Sequence, residues 1–251
     1  MSEIILNERA WAEQVMKNPA PELLKGESIY RIAKVLHADG YKTKEIERKL
    51  EEFVIRCSPR ESLAAWRALI EKCVASSKGR AIIELDSIKV TRAEMAAVRR
   101  VESIQGRRIL FTLICLCRIQ NYARGNASDW VNVESSNLFS RANVTLGRER
   151  GQALIRSLWQ DGYIGYSKVI DNLNLKVQVM AEEDEAVMEV TSFKNLGNQY
   201  MLYEGEPFIA CQGCGTVVRK SSNAQKYCKA CSDEIRRVKK NEENAKAHLT
   251  A

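Results

Sequence analysis

Apolar positions recur at helical spacing through much of the first hundred residues. Ile29, Ile32, Ala33, Val35 and Leu36 predict an amphipathic helix over about 28–39, stopped at Gly40. A second helix is expected from Thr43, with Glu45 and Ile46 marking its start, through Leu50, Phe53, Val54 and Ile55. Ser58-Pro59-Arg60-Glu61 carries a start signature for a third, with a serine cap, proline at the first helical position and glutamate at the third. Leu63, Trp66, Leu69, Ile70 and Cys73 then follow at helical intervals. Residues 81–90 read as two short strands around Asp86-Ser87, and Thr91-Arg92-Ala93-Glu94 is a capping box opening a helix toward Glu102. Residues 1–104 are thus expected to be a helical N-terminal region with a short β-hairpin near 81–90, serving as a structural or docking module.

Between 105 and 180 the pattern changes. A very apolar helix is expected from Arg107 to about Tyr122, a short strand at Trp130-Val131-Asn132-Val133, and helices over about 135–142 and 147–160. They are separated by a polar turn at Asn143-Val144-Thr145, and Asp161-Gly162 ends the second of them. Residues 163–170 and 173–179 alternate on either side of Asp171-Asn172, a hairpin signal. The phrase Leu154-Ile155-Arg156-Ser157-Leu158-Trp159-Gln160-Asp161-Gly162-Tyr163-Ile164, set in this order of elements, resembles the recognition helix and first wing strand of the winged helix-turn-helix family. The fold class expected for the whole chain is mainly α with small β.

Charge sharpens the division. The chain has 251 residues, 39 basic and 32 acidic, for a net +7. Residues 1–104 carry +3, 105–180 carry +5, 181–210 carry −6 and 211–251 carry +5. An acidic belt centred on Glu182-Glu183-Asp184-Glu185 therefore interrupts the positive charge, and residues 181–206 are expected to be an acidic connector between two modules. No apolar run approaches the roughly 18 residues of a membrane span, and the N-terminal residues lack the pattern of a signal peptide. A cytoplasmic protein is expected, with no membrane partner and no small-molecule substrate.

The sharpest chemical signal is at the C-terminal end. Cys211-Gln-Gly-Cys214 and Cys228-Lys-Ala-Cys231 are two Cys-x-x-Cys pairs, whereas Cys57, Cys73, Cys115 and Cys117 sit in apolar periodic stretches. In a chain without a secretion signal the pairs read as four thiolate ligands to one structural Zn²⁺, not as a disulfide framework. An iron–sulfur cluster or a redox dithiol is the alternative. Val217-Val218-Arg219-Lys220 and Gln225-Lys226-Tyr227, lying between the pairs, read as a small hairpin. Residues 207–251 resemble a zinc ribbon, followed by a basic helical tail around Ile235-Arg236-Arg237-Val238-Lys239-Lys240.

Double-stranded DNA is the partner this arrangement implies. Arg148, Gln152 and Arg156 fall at i, i+4 and i+8, one polar stripe on the candidate recognition helix. Arginine can fork onto guanine and glutamine onto adenine in the major groove. Arg141, Asn143 and Thr145 in the turn, with Lys168 and Lys176 on the wing, are the expected phosphate contacts. Enzyme activity is not expected, since the chain has no Gly-rich phosphate loop, no His-Glu-x-x-His and only two histidines, His37 and His248. Winged helices also serve as docking modules, so the alternative is an adaptor or inhibitor that binds a host or phage protein through the winged-helix and ribbon surfaces.

The layout as a whole resembles a group of bacteriophage and prophage proteins of Gram-positive hosts. These join a helical N-terminal region, a winged-helix segment and a C-terminal four-cysteine ribbon. The likeness is carried by Ser28 to Leu50 with its Asp39-Gly40-Tyr41 break, Val90-Thr91 followed by Glu94, Asp171-Asn172-Leu173-Asn174, Phe193-Lys194-Asn195-Leu196-Gly197 and the cysteine pairs. It implies a DNA-associated phage role, in transcription regulation or replication initiation, and specifies no activity.

Overall fold

The computed structural model describes residues 4–60, 62–167 and 174–249. The protein is mainly α with small β sheets, and it divides into two compact units. The first holds residues 1–88 and 119–128, the second residues 89–118 and 129–251. The boundaries differ from those read in the charge pattern. The acidic belt lies inside the second unit, and the junction falls near residue 88 instead of 104.

The first unit is built from α1 (Glu8–Lys17), a 3-10 turn (Pro21–Leu23), α2 (Gly26–Ala38), α3 (Thr43–Cys57) and α4 (Leu63–Ser77). Their apolar stripes meet in one core of Ile29, Ile32, Leu36, Ile46, Leu50, Phe53, Ile70 and Val74. Gly40 ends α2 at a φ of +84°, a conformation glycine adopts without cost. Helix α4 does not begin at the Ser58-Pro59 signature. Ser58 is instead the C-cap of α3, its N–H donating to the Val54 carbonyl, and α4 starts after Ser62. Nor do residues 81–90 form a hairpin: Glu84 makes a single bridge to Asn7, and only β1 (Ile88–Thr91) is a strand. The Glu8 carboxylate is buried, accepts from the Ile83 N–H at 2.8 Å and pairs with Lys34 Nζ at 2.5 Å.

In the second unit, β1 pairs with β5 (Ala186–Val190), and α5 (Arg92–Arg100) follows β1 directly. The capping box is present in full: the Glu94 N–H donates to Thr91 Oγ1, and the Thr91 N–H donates to Glu94 Oε2 at 2.9 Å. Glu94 is fully buried, and its other oxygen accepts from Arg118 Nη2 at 2.7 Å. The acidic belt has a structural use at the same helix start. Asp184 accepts from the Ala93 N–H at 2.6 Å, a contact that holds its carboxyl below the usual range, and Glu185 pairs with Arg92.

Next come α6 (Ile104–Arg124), β2 (Trp130–Asn132), α7 (Ser135–Arg141), α8 (Arg148–Gln160), β3 (Ile164–Tyr166) and β4 (Asn174–Val177). The three strands form an antiparallel sheet in the order β2-β4-β3, with Ile164 opposite Val177 and Val131 opposite Leu175. Helix, strand, two helices and two strands thus follow one another in the order expected for 105–180. The strands are shorter than the alternation suggested, and the Asp171-Asn172 hairpin tip lies outside the described residues. The apolar face of α8, Ile155 and Leu158, is buried with Leu138, Ile164, Leu175 and Val177.

Residues 181–206 are not a bare connector. Besides β5 they form α9 (Leu196–Tyr203), whose Tyr200 ring packs on Phe111 of α6 at 5.5 Å between centroids. Then come β6 (Phe208–Ala210), β7 (Val217–Arg219) and α10 (Lys229–Leu249).

Candidate functional site

The four cysteines expected to hold metal come together. The Sγ atoms of Cys211, Cys214, Cys228 and Cys231 all lie within 4.8 Å of one another. Four sulfurs at about 2.3 Å from a tetrahedral metal stand roughly 3.8 Å apart. Cys214 and Cys228 Sγ are 3.8 Å apart, so the cluster fits one such ion.

Local structure explains the convergence. Strands β6 and β7 pair antiparallel, with Ala210 opposite Val217, and the first cysteine pair occupies the turn they enclose. This corrects the expected hairpin between the two pairs: residues 225–227 form no strand, although the Gln212 N–H donates to the Lys226 carbonyl. Gly215, at a φ of +69°, lets the turn close. The second pair opens α10, with Cys231 in its first turn. Backbone amides face the sulfurs, Cys228 N–H donating to Cys211 Sγ at 3.2 Å and Cys231 N–H to Cys228 Sγ at 3.5 Å. The Thr216 hydroxyl lies 3.3 Å from Cys214 Sγ.

The crowding shows in the thiol acidities. The Cys228 N–H, helped by those of Cys214 and Gly213, holds the Cys211 thiol down to about 6, whereas the neighbouring sulfurs, that of Cys214 first, push Cys231 up to about 12. The remaining cysteines stand apart from the cluster. Cys57, Cys73, Cys115 and Cys117 are buried among apolar side chains, and burial raises the pKa of each. With the proposed metal removed by a strong chelator the cluster is expected to open, so a thiol reagent added to the otherwise native protein should modify the four clustered thiols promptly and the other four only after denaturation. Prompt modification of Cys115 or Cys117 under native conditions would contradict this assignment.

The residues expected to face DNA divide. Arg148, Gln152 and Arg156 are exposed along α8, as are Thr145 in the turn and Lys176 on β4. Glu149 is the acidic residue in the first turn of that helix. Arg141 does not belong with them, and Asn143 is exposed but has its side chain engaged. Arg141 is only 8% exposed and is engaged within the protein. Asn143 has a left-handed backbone, φ +50°, and its side-chain amide donates inward to Asn198 Oδ1 at 2.8 Å. Lys168 lies outside the described residues.

That inward contact belongs to a network the sequence did not signal. Arg108 of α6 donates from Nε to the Ala142 carbonyl at 3.0 Å and from Nη2 to Asn198 Oδ1 at 2.7 Å. Asn198 Nδ2 donates in turn to the Val217 carbonyl on β7 at 2.9 Å. One buried amide of α9 therefore ties α6, the turn between α7 and α8, and the metal knuckle together. The close approach depends on Gly197, where a Cβ would stand 1.9 Å from the Ala142 oxygen. A second feature that local sequence pattern does not reveal is the exposed ring pair of Trp159 and Tyr166 at the end of α8. The only available signal was the position of Trp159, one residue past the buried Leu158.

In comparisons with known proteins, no family model, curated protein or solved structure matches the chain. Among the described residues, no helix is long and apolar enough to cross a membrane.

Proposed function

We propose that this chain is a non-enzymatic DNA-binding protein, phage-encoded, acting in transcription regulation or replication initiation in the cytoplasm. The observation that carries the reading is the exposed stripe of Arg148, Gln152 and Arg156 on α8, a helix backed by the sheet β2-β4-β3. In this reading residues 105–180 are a winged helix-turn-helix, α8 enters the major groove, and Lys176 and Thr145 touch phosphates. With Arg141 buried and the Asn143 amide held by Asn198, the phosphate contacts are fewer than the sequence suggested.

The proposed metal is one Zn²⁺, held by Cys211, Cys214, Cys228 and Cys231 as a closed, four-coordinate structural site. Support comes from the all-sulfur donor set, the sulfur spacing and the amide N–H groups aimed at the sulfurs. Four thiolates require a reducing compartment, consistent with the cytoplasm.

An electrophoretic mobility-shift titration on duplex DNA at low salt tests the reading, with the expectation of binding that weakens steeply as salt rises. Absence of any shift at low salt would overturn it. Arg148→Ala and Arg156→Ala are each expected to remove about 1–3 kcal/mol of discrimination between preferred and random sites. Lys176→Ala should instead weaken all sequences alike and lower the salt slope by about one. Equal, sequence-blind losses from all three variants would remove the recognition role assigned to α8.

A further inference from the structure

We propose that Trp159 and Tyr166 form a stacking platform for an unpaired base of a DNA strand, placed where single strand meets duplex. The inference rests on the duplex-binding reading of α8 and adds to it a class of DNA structure.

Trp159 sits in the last turn of α8 and Tyr166 ends β3, across the Asp161-Gly162 turn. Their ring centroids are 5.8 Å apart with the planes tilted by 57°, and each residue is 47% exposed. Single exposed aromatics are ordinary on protein surfaces, but two held together and half in water leave a sizeable apolar area uncovered. Register explains how they meet. Tyr166 lies opposite Leu175, which is fully buried, so the tyrosine stands on the sheet face that packs toward α8 and emerges at its edge.

The charges around the pair select the ligand. Arg156, one turn before Trp159, is close enough to act on the Tyr166 hydroxyl. Arg148 and Gln152 continue the exposed stripe along the same helix, whereas Lys176, adjacent to Leu175 on the strand, stands on the other face of the sheet. The C-terminal end of α8 carries the negative pole of the helix, and Asp161 is exposed at its cap. That end repels a phosphate and accepts a neutral ring. A phosphate chain running along Arg148 and Arg156 would therefore present a base, not its own charge, to the aromatic pair. Bases inside a duplex hide their faces against one another, whereas an unpaired base offers its face for stacking.

The test compares the full-length protein on a fully paired duplex and on the same duplex carrying a single-stranded tail, by fluorescence anisotropy. The tailed DNA is expected to bind about tenfold more tightly, the scale of one base stacked on an aromatic side chain. Trp159→Ala should abolish that preference, and Trp159→Phe should keep most of it. If Trp159→Ala loses the fold, seen as loss of its cooperative melting transition, Tyr166→Ala takes its place and is expected to abolish the preference likewise. Equal affinity of the wild type for both DNAs overturns the platform and leaves duplex binding intact. A tail preference that survives both alanine variants overturns it as well. So does a wild-type dimer that Trp159→Ala splits without change in tail preference, since the pair then meets a second copy of the chain. Failure to bind either DNA is instead the failure of the duplex-binding reading itself.

Discussion

Gly197→Ala is expected to destabilise the second unit by more than about 3 kcal/mol, the upper range for forcing an extra methyl into a packed site. The sign makes the test sharp. Glycine to alanine inside a helix ordinarily stabilises by up to about 1 kcal/mol, because alanine restricts the unfolded chain and propagates helix better. Here the added carbon would lie 1.9 Å from the Ala142 carbonyl oxygen, 2.7 Å from its carbon and 2.7 Å from Arg108 Nε. Two of these contacts are backbone atoms at the end of α7, so no rotamer change relieves them. Helix α9 would have to retreat, and Asn198, one residue on and 3% exposed, would lose its bonds to Arg108, Asn143 and Val217. Chemical denaturation of the wild type and the variant measures the difference. An unchanged or raised midpoint would show that α9 does not press on the turn as described.

Removing the proposed zinc is expected to have the largest effect of all. Binding at four-cysteine sites is worth on the order of 10 kcal/mol or more, comparable to the whole stability of a typical domain. The β6–β7 hairpin and the second cysteine turn bury little else: Cys211, Val217 and Cys228 are the buried residues from 207 to 231. A strong chelator, or Cys228→Ser, should therefore release this segment. The loss should also travel. With β7 displaced, Asn198 Nδ2 loses the Val217 carbonyl, and an unsatisfied buried amide costs about 1–3 kcal/mol at the contact with the turn. Hydrogen exchange measures both effects. The amides of Cys228 and Cys231, which donate to sulfur, should exchange fast on chelation, and that of Val144, which donates to the Phe139 carbonyl, should lose part of its protection. Amides of the first unit, such as Ser58, should not change. Equal protection of Cys228 with and without chelator would remove the metal from the account of stability.

The features legible in the sequence were those written in local spacing. Thr91 and Glu94 needed only three residues to declare a helix start, and the cysteine pairs declared a metal centre by their own separation. The stripe of Arg148, Gln152 and Arg156 followed from the helical period once Ile155 and Leu158 fixed the buried side. The errors arose where one residue has two possible employers. Ser58 has the chemistry of an N-cap but closes α3, which runs on to Cys57, while α4 takes Ser62 as its N-cap. Arg141 and Asn143 look like phosphate contacts in any polar turn. Asn143 is held by Asn198 of α9, and α9 has no side-chain cap to announce it: it starts from Asn195 in a left-handed conformation and is only eight residues long. Asp184 and Glu185 read as a solvated acidic run, yet they serve the first turn of a helix some ninety positions earlier, a pairing local pattern cannot express.

The Asn198 amide also decides where this chain can be cut. Ribbon-like metal knuckles are often treated as detachable, and residue 207 is the natural place to divide this one from what precedes it. A truncation there would sever a hydrogen bond, not a tether, and would strip α9 of the strands that cover it. A transplant that preserves function would have to carry residues 196–231 together with partners equivalent to Arg108 and Asn143. The heritable unit is therefore the helix, the turn and the knuckle as one block.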